Sequence, residues 1–208
     1  MASSPRSIAL GLALAFLALP AFAQDADPKA WAATAATGAF DLCRGDAPDA
    51  QAAAEHGEAV GWGPFTPYLE HPDGYRREAG GEARLSLRQE GGPSTGAELT
   101  VQSGLVVSET TATVRYFRCN VAADQDVSAQ LTAYFTRLYG APTGQAGGVT
   151  LWLSGSAAPG GARERDAPAA VAAAGAGARL IRVELSNERG LTRAKMSQFD
   201  NIGPASTP

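Results

Sequence analysis

The sequence predicts an α+β domain, an antiparallel sheet of about six strands with helices packed on one face. Three observations carry this. Six stretches read as strands, most of them with apolar residues at every second position. Other stretches show helical spacing with recognisable start and stop residues. The strands also come in runs divided by a helix, which points to an antiparallel sheet rather than to parallel β-α-β units. A partly closed barrel is the alternative.

Ahead of these elements lies an export signal. Arg6 is the only charge before Asp25 and precedes an apolar run over 8–19. Pro20 ends the run, and Ala21-Phe22-Ala23 supplies the small-x-small pattern that a signal peptidase reads. Residues 1–23 are therefore expected to be removed. The run falls short of the roughly 20 apolar residues of a spanning helix, and no cysteine follows it for lipid attachment, so no membrane anchor is expected after cleavage. Residues 24–203 then suit one domain.

The chain carries 17 Lys and Arg against 21 Asp and Glu, a net charge of −4. Without a basic run, nucleic acid and anionic membrane are poor partners. Cys43 and Cys119 are the only cysteines. Behind an export signal an even count favours a disulfide. The Cys-x-x-Cys spacing of redox enzymes is absent.

The first helix is expected to be capped by Asp27 with Pro28 at its first position. Trp31, Ala35, Gly38 and Leu42 fall on one face, Cys43 sits at the end, and Arg44 and Gly45 mark the stop. An alanine-rich second helix starts at Asp46 or Asp49 and runs towards Gly57. Residues 61–77 form an extended aromatic loop, since Pro64, Pro67 and Pro72 deny ladder bonds. Ala83, Leu85 and Leu87 alternate with Arg84, Ser86 and Arg88 in the first strand. Leu99 and Val101 begin the second, which continues past a bulge at Gly104. The third, 111–121, buries Val114 and Tyr116 on one side and Phe117 and Cys119 on the other, so it is expected to be central.

A helix follows, capped by Asp124 or Asp126. Val127, Leu131, Phe135 and Leu138 lie on one face, and Gly140 and Pro142 stop it. Residues 149–153 alternate again; if Val149, Leu151 and Leu153 face inward, Trp152 faces out or under a helix. The last two strands form a hairpin around 187–190, placing Ile181 opposite Met196, Val183 opposite Ala194 and Glu184 opposite Arg193. The intervening segment 155–178 is mostly Ala, Gly and Pro and is expected to be a mobile insertion. Order is expected to end after Asn201, with 204–208 a disordered tail.

Chemistry is sparse. His56 and His71 could each serve a hydrolase as general base, but no Gly-x-Ser-x-Gly elbow or His-x-x-x-His pair accompanies them. Asp124-Gln125-Asp126 opens like a calcium loop and fails at its sixth and twelfth positions, Ala129 and Phe135. Gly175-Ala176-Gly177 lacks the third glycine of a dinucleotide fingerprint, Leu180 standing there. No metal, cofactor or catalytic residue is assigned. The aromatic stretch could form a stacking platform, with Trp62, Phe65, Tyr68 and Tyr75 as candidate ligand-binding residues.

Phe40-Asp41-Leu42-Cys43, the alanine-rich stretch ending in Gly61-Trp62, and the Cys119 strand followed by a helix with Gly140 and Pro142 resemble a group of small exported bacterial proteins. The resemblance implies the disulfide and the fold and supplies no activity. Ala, Gly and Arg usage fits a GC-rich bacterial genome, hence a periplasmic destination, with secretion the alternative. The expected role is a non-enzymatic envelope domain that binds a small molecule, a glycan or a protein. The alternative is a periplasmic hydrolase using His71 or His56.

Overall fold

The computed structural model describes residues 27–44, 50, 52–53, 66–68, 80–88, 96–107, 112–158 and 163–204. The expected export signal, most of the expected second helix and residues 205–208 lie outside the described residues.

Helix α1 spans Pro28–Leu42, with the Asp27 carboxylate accepting from the Lys29 amide at 3.1 Å. Its most buried side is Ala32, Ala33, Ala35, Ala36, Ala39 and Phe40, while Trp31 and Leu42 of the expected stripe pack against the same core partly buried. Small side chains let the helix approach the sheet closely. The disulfide from Cys43 to Cys119, with Cα atoms 6.3 Å apart, then fixes its rotation. Of the second helix, Ala50, Ala52 and Ala53 are described and helical, Ala50 and Ala53 being buried.

Four strands follow: β1 (Thr66–Tyr68), β2 (Gly80–Arg88), β3 (Gly96–Val107) and β4 (Ala112–Ala123). Helix α2 (Ser128–Tyr139) leads into β5 (Gly144–Ala146), β6 (Val149–Ser154), a 3-10 turn (Glu164–Asp166), helix α3 (Ala167–Ala173), β7 (Arg179–Glu188) and β8 (Leu191–Pro204). All pairings are antiparallel, in the order β1-β2-β3-β4-β8-β7-β6-β5. Each half thus contributes four antiparallel strands, and their last strands, β4 and β8, join the two.

The six long strands are those the sequence predicts; β1 and β5 add three-residue edges. Pro67 sits in β1, where an edge position tolerates its missing N–H. Among the described residues β1 and β5 each pair with one neighbour, so the sheet is open and not a barrel. β4 is central. The ladders run without a shift through Gly104, opposite Tyr116; the irregularity falls instead between Ala112 and Val114, where β4 meets β8.

The last hairpin keeps its expected faces but not its partners. Val183 lies opposite Met196, Leu185 opposite Ala194 and Glu184 opposite Lys195. The turn's central residues are Arg189 (φ 56°) and Gly190 (φ 83°), one position later than expected. A two-residue turn with both φ positive matches strand twist, and glycine suits the second place.

The two principal helices lie together on one face, over Leu99, Val101, Phe117, Cys119, Val121, Val183, Leu185 and Met196. Trp152 is buried there, its indole Nε1 donating to the Gly140 carbonyl at 3.2 Å. Val149, Leu151 and Leu153 therefore occupy the other face.

The segment 155–178 is not an unpacked insertion over its described part. Ala167 and Val171 of α3 are fully buried, packing with Val114, Tyr116, Leu180 and Phe199 on the opposite face. Small residues suffice because α3 rests directly on the sheet. The Asn201 side-chain Nδ2 donates to the Val171 and Ala172 carbonyls at 3.4 Å, and β8 continues to Pro204, pairing with Ala112. Gly155, at φ +108°, crosses so close to Arg179 that a Cβ would collide with the Arg179 carbonyl.

Candidate ligand-binding groove

Among the described residues, each face of the sheet is covered by helices at one end only. The end of the second face beyond α3 is polar, and register aligns its side chains in rows. Gln102, Arg118, Ser197, Arg182 and Leu153 form one row; Thr100, Asn120, Lys195, Glu184 and Leu151 the next; Glu98, Ala122, Arg193, Ser186 and Val149 the third. The central junction of β4 with β8 brings β3 and β7 into one surface.

In the first two rows the charges are paired. Glu164, from the turn before α3, accepts from Arg118 at 2.6 Å and from Lys195. Glu184 accepts from Arg182 and from Lys195, both at 2.6 Å. Arg182 is only 6% exposed, and its Nε and Nη1 have no partner among the described residues. Burial pushes the Glu164 carboxyl up, but Arg118 and Lys195 outweigh it and leave it lowered. At Glu184 burial again works upward, and the bonds from Arg182 and Lys195 bring the pKa down to about 2. Both carboxylates are held ionised, unsuited to donate a proton near neutral pH.

A depressed carboxyl stabilises the fold fully above its unfolded pKa and loses that contribution as pH falls through the folded one. For Glu184 the window runs from its ordinary 4.5 down to about 2. Urea titrations across it should show an acid-dependent loss on the order of 1–2 kcal/mol, after allowance for solvent screening, that Glu184→Gln removes. An unchanged pH profile in E184Q would show that the carboxylate carries none of it.

The third row borders an open groove of about 290 Å³ whose walls include Glu98, Thr100, Asn120, Ser186, Arg193 and the Lys195–Glu184 pair. Glu98 and Arg193 are exposed and form no ion pair among the described residues. The groove can bind polar or charged groups. Among the described residues that line it, no hydroxyl is hydrogen-bonded to a basic side chain.

Trp62, Phe65 and Tyr75 lie outside the described residues, as do His56 and His71; Tyr68 ends β1, opposite Glu82. Asp126 accepts from the Ser128 amide at 3.1 Å and hydroxyl at 2.6 Å, one residue ahead of the α2 cap position. Gly175 and Gly177 shape the α3–β7 turn, the Gly177 amide donating to the Asn201 carbonyl at 2.9 Å. The groove residues were missed because each is an ordinary outward position on its own strand. The one available signal was the acidic Glu184 facing a basic strand.

Among the described residues no group of three or more His, Cys, Asp and Glu is placed to hold a metal ion. No described helix is long and apolar enough to cross a membrane. What fold and groove define is an α+β domain with an open eight-stranded antiparallel sheet and a polar concavity on the face that carries α3. No protein-family model, curated protein or solved structure matches the chain.

Proposed function

We propose that this is an exported, periplasmic binding domain of the bacterial cell envelope, working without catalysis on a small-molecule, glycan or protein partner. The observation that carries the compartment is the Cys43–Cys119 disulfide, both cysteines fully buried between α1 and the central strand. Such a structural bridge belongs to an oxidising compartment. The leader-like segment 1–23 and the resemblance to small exported proteins support the same destination. For the binding role the support is the groove, whose polar walls suit recognition and whose Glu184 carboxylate is held in the charged form by Arg182 and Lys195.

The test is expression of the full-length chain in a bacterium, followed by fractionation, intact-mass measurement and thiol titration. The periplasmic fraction is expected to hold a chain beginning at Gln24 with no free thiol in the denatured protein. A cytosolic chain retaining Met1, with both thiols reduced, would end the proposal. Screening that purified protein for hydrolysis, beside His56→Ala and His71→Ala, tests the enzymatic alternative; an activity lost in either variant would displace the binding reading.

A further inference from the structure

One carboxylate on the second face is delivered from outside the sheet. Glu164, in the 3-10 turn before α3, accepts from Arg118 Nη2 at 2.6 Å, from Ser197 Oγ at 3.3 Å and from Lys195 Nζ. An arginine, a lysine and a hydroxyl converging on one anion form a donor set suited to carboxylate or phosphate oxygens. Among the described residues every hydrogen bond from this turn to the sheet runs through that carboxylate, and no residue of the turn is buried. Helix α3 behind it keeps its own anchors, the buried Ala167 and Val171 and the bonds from Asn201. Glu164 can therefore swing away without unpacking the helix.

The donors around it exceed what a carboxylate satisfies. Arg118 and Arg182 flank Ser197 in register. Arg182 is only 6% exposed; Glu184 holds its Nη2, while its Nε and Nη1, like Arg118 Nε, are buried with no partner among the described residues. Unpaired buried donors on a charged group are costly. With Glu164 away, Arg118, Arg182 and Lys195 face the one carboxylate of Glu184, an excess of two positive charges. Nearby charges leave that balance unchanged: Glu98 and Arg193 in the groove are one of each sign, as are Glu82 and Arg84, which continue the two rows onto β2. A phosphate group carries about 1.5 to 2 negative charges near neutral pH and three strong acceptor oxygens, matching both the charge and the spare donors. Lys195 also lines the groove of about 290 Å³, which gives access and room for the rest of a phosphomonoester.

We infer that Arg118, Lys195 and Ser197, with Arg182 beside them, form a phosphate site that Glu164 occupies as an internal anion, and that phosphate enters by displacing that carboxylate. This inference rests on the binding-domain reading and names its ligand class.

Calorimetric titration of the purified protein with inorganic phosphate and with glycerol phosphate, against sodium chloride at matched ionic strength, tests it at a pH where phosphate is mostly the dianion. Glu164→Gln, which removes the internal competitor, is expected to bind phosphate at least about tenfold more tightly than wild type. A residue with a purely structural role would not raise affinity when replaced. Adding Arg118→Gln to that variant should weaken binding at least about tenfold, with thermal melts confirming that both variants fold. Tighter binding of glycerol phosphate than of phosphate assigns the site to a phosphomonoester, and equal binding assigns it to the free ion. No saturable phosphate binding by either protein, chloride binding as well as phosphate, or a Glu164→Gln variant no tighter than wild type overturns the inference. Each of those results leaves the binding-domain reading standing; that reading fails on compartment, thiol state or hydrolysis.

Discussion

Replacing both cysteines, as Cys43→Ala with Cys119→Ala, is expected to lower the unfolding free energy by about 3–4 kcal/mol. The bond closes a loop whose ends are 76 positions apart, and in the chain-entropy view a loop of that length restricts the unfolded chain by roughly 4 kcal/mol. It also ties the end of α1 to the central strand, so its loss frees the helix from the sheet it covers. Guanidinium titration of wild type and double variant would measure the difference. A change below about 1 kcal/mol would mean that core packing alone fixes α1. Both cysteines are fully buried, so reductant under native conditions should act only through unfolding. The native protein is expected to resist it and to become reducible once denaturant populates the open chain.

Phe135→Ala should have an effect of similar size, about 3–5 kcal/mol. Phe135 is fully buried and joins the aromatic cluster, with ring centroids 4.9 Å from Phe40, 5.3 Å from Tyr134, 5.5 Å from Trp152 and 6.4 Å from Tyr139. Truncation removes contacts to α1, to β6 and along α2 together, and rings on three separate elements cannot all move to close the gap. Phe135→Leu, keeping most of the volume, should cost less than about 2 kcal/mol. Leu191→Ala, at a site 43% exposed, should stay within about 0.5 kcal/mol. Equilibrium denaturation gives the energies, and the near-ultraviolet signal of Trp152 reports whether packing around it has loosened. If Phe135→Ala matched Leu191→Ala, the cluster would not be the centre of the core.

How much of this was legible beforehand depended on the range of the interaction. Asp27, Pro28 and Gly140 mark helix ends through local backbone chemistry, and helices begin and end beside them. Alternation on β4 and β7 sorted their faces correctly, because a strand's side chains change sides at every residue whatever their partners. The hairpin register was missed by two positions because only the turn decides it, and two successive positive φ angles at Arg189 and Gly190 are a three-dimensional choice. Segment 155–178 was misread for a different reason. Its composition offers little bulk, yet Ala167 and Val171 need little when Leu180 and Phe199 lie directly beneath them.

The candidate site was hidden more thoroughly. Glu98, Asn120, Glu184 and Arg193 sit on four strands, and each alone is an unremarkable polar residue on an outward face. Sequence by itself determined the local order of strands and helices, which side of each strand is apolar, and the cysteine count that permits a single bridge. Tertiary structure alone decided that β4 pairs with β8, that α3 covers one end of the second face, and hence that a groove opens at the other. The reason is that side-chain alternation and capping are written within a few neighbouring residues. Pairing between strands distant in the chain is settled by which arrangement buries both apolar faces at once.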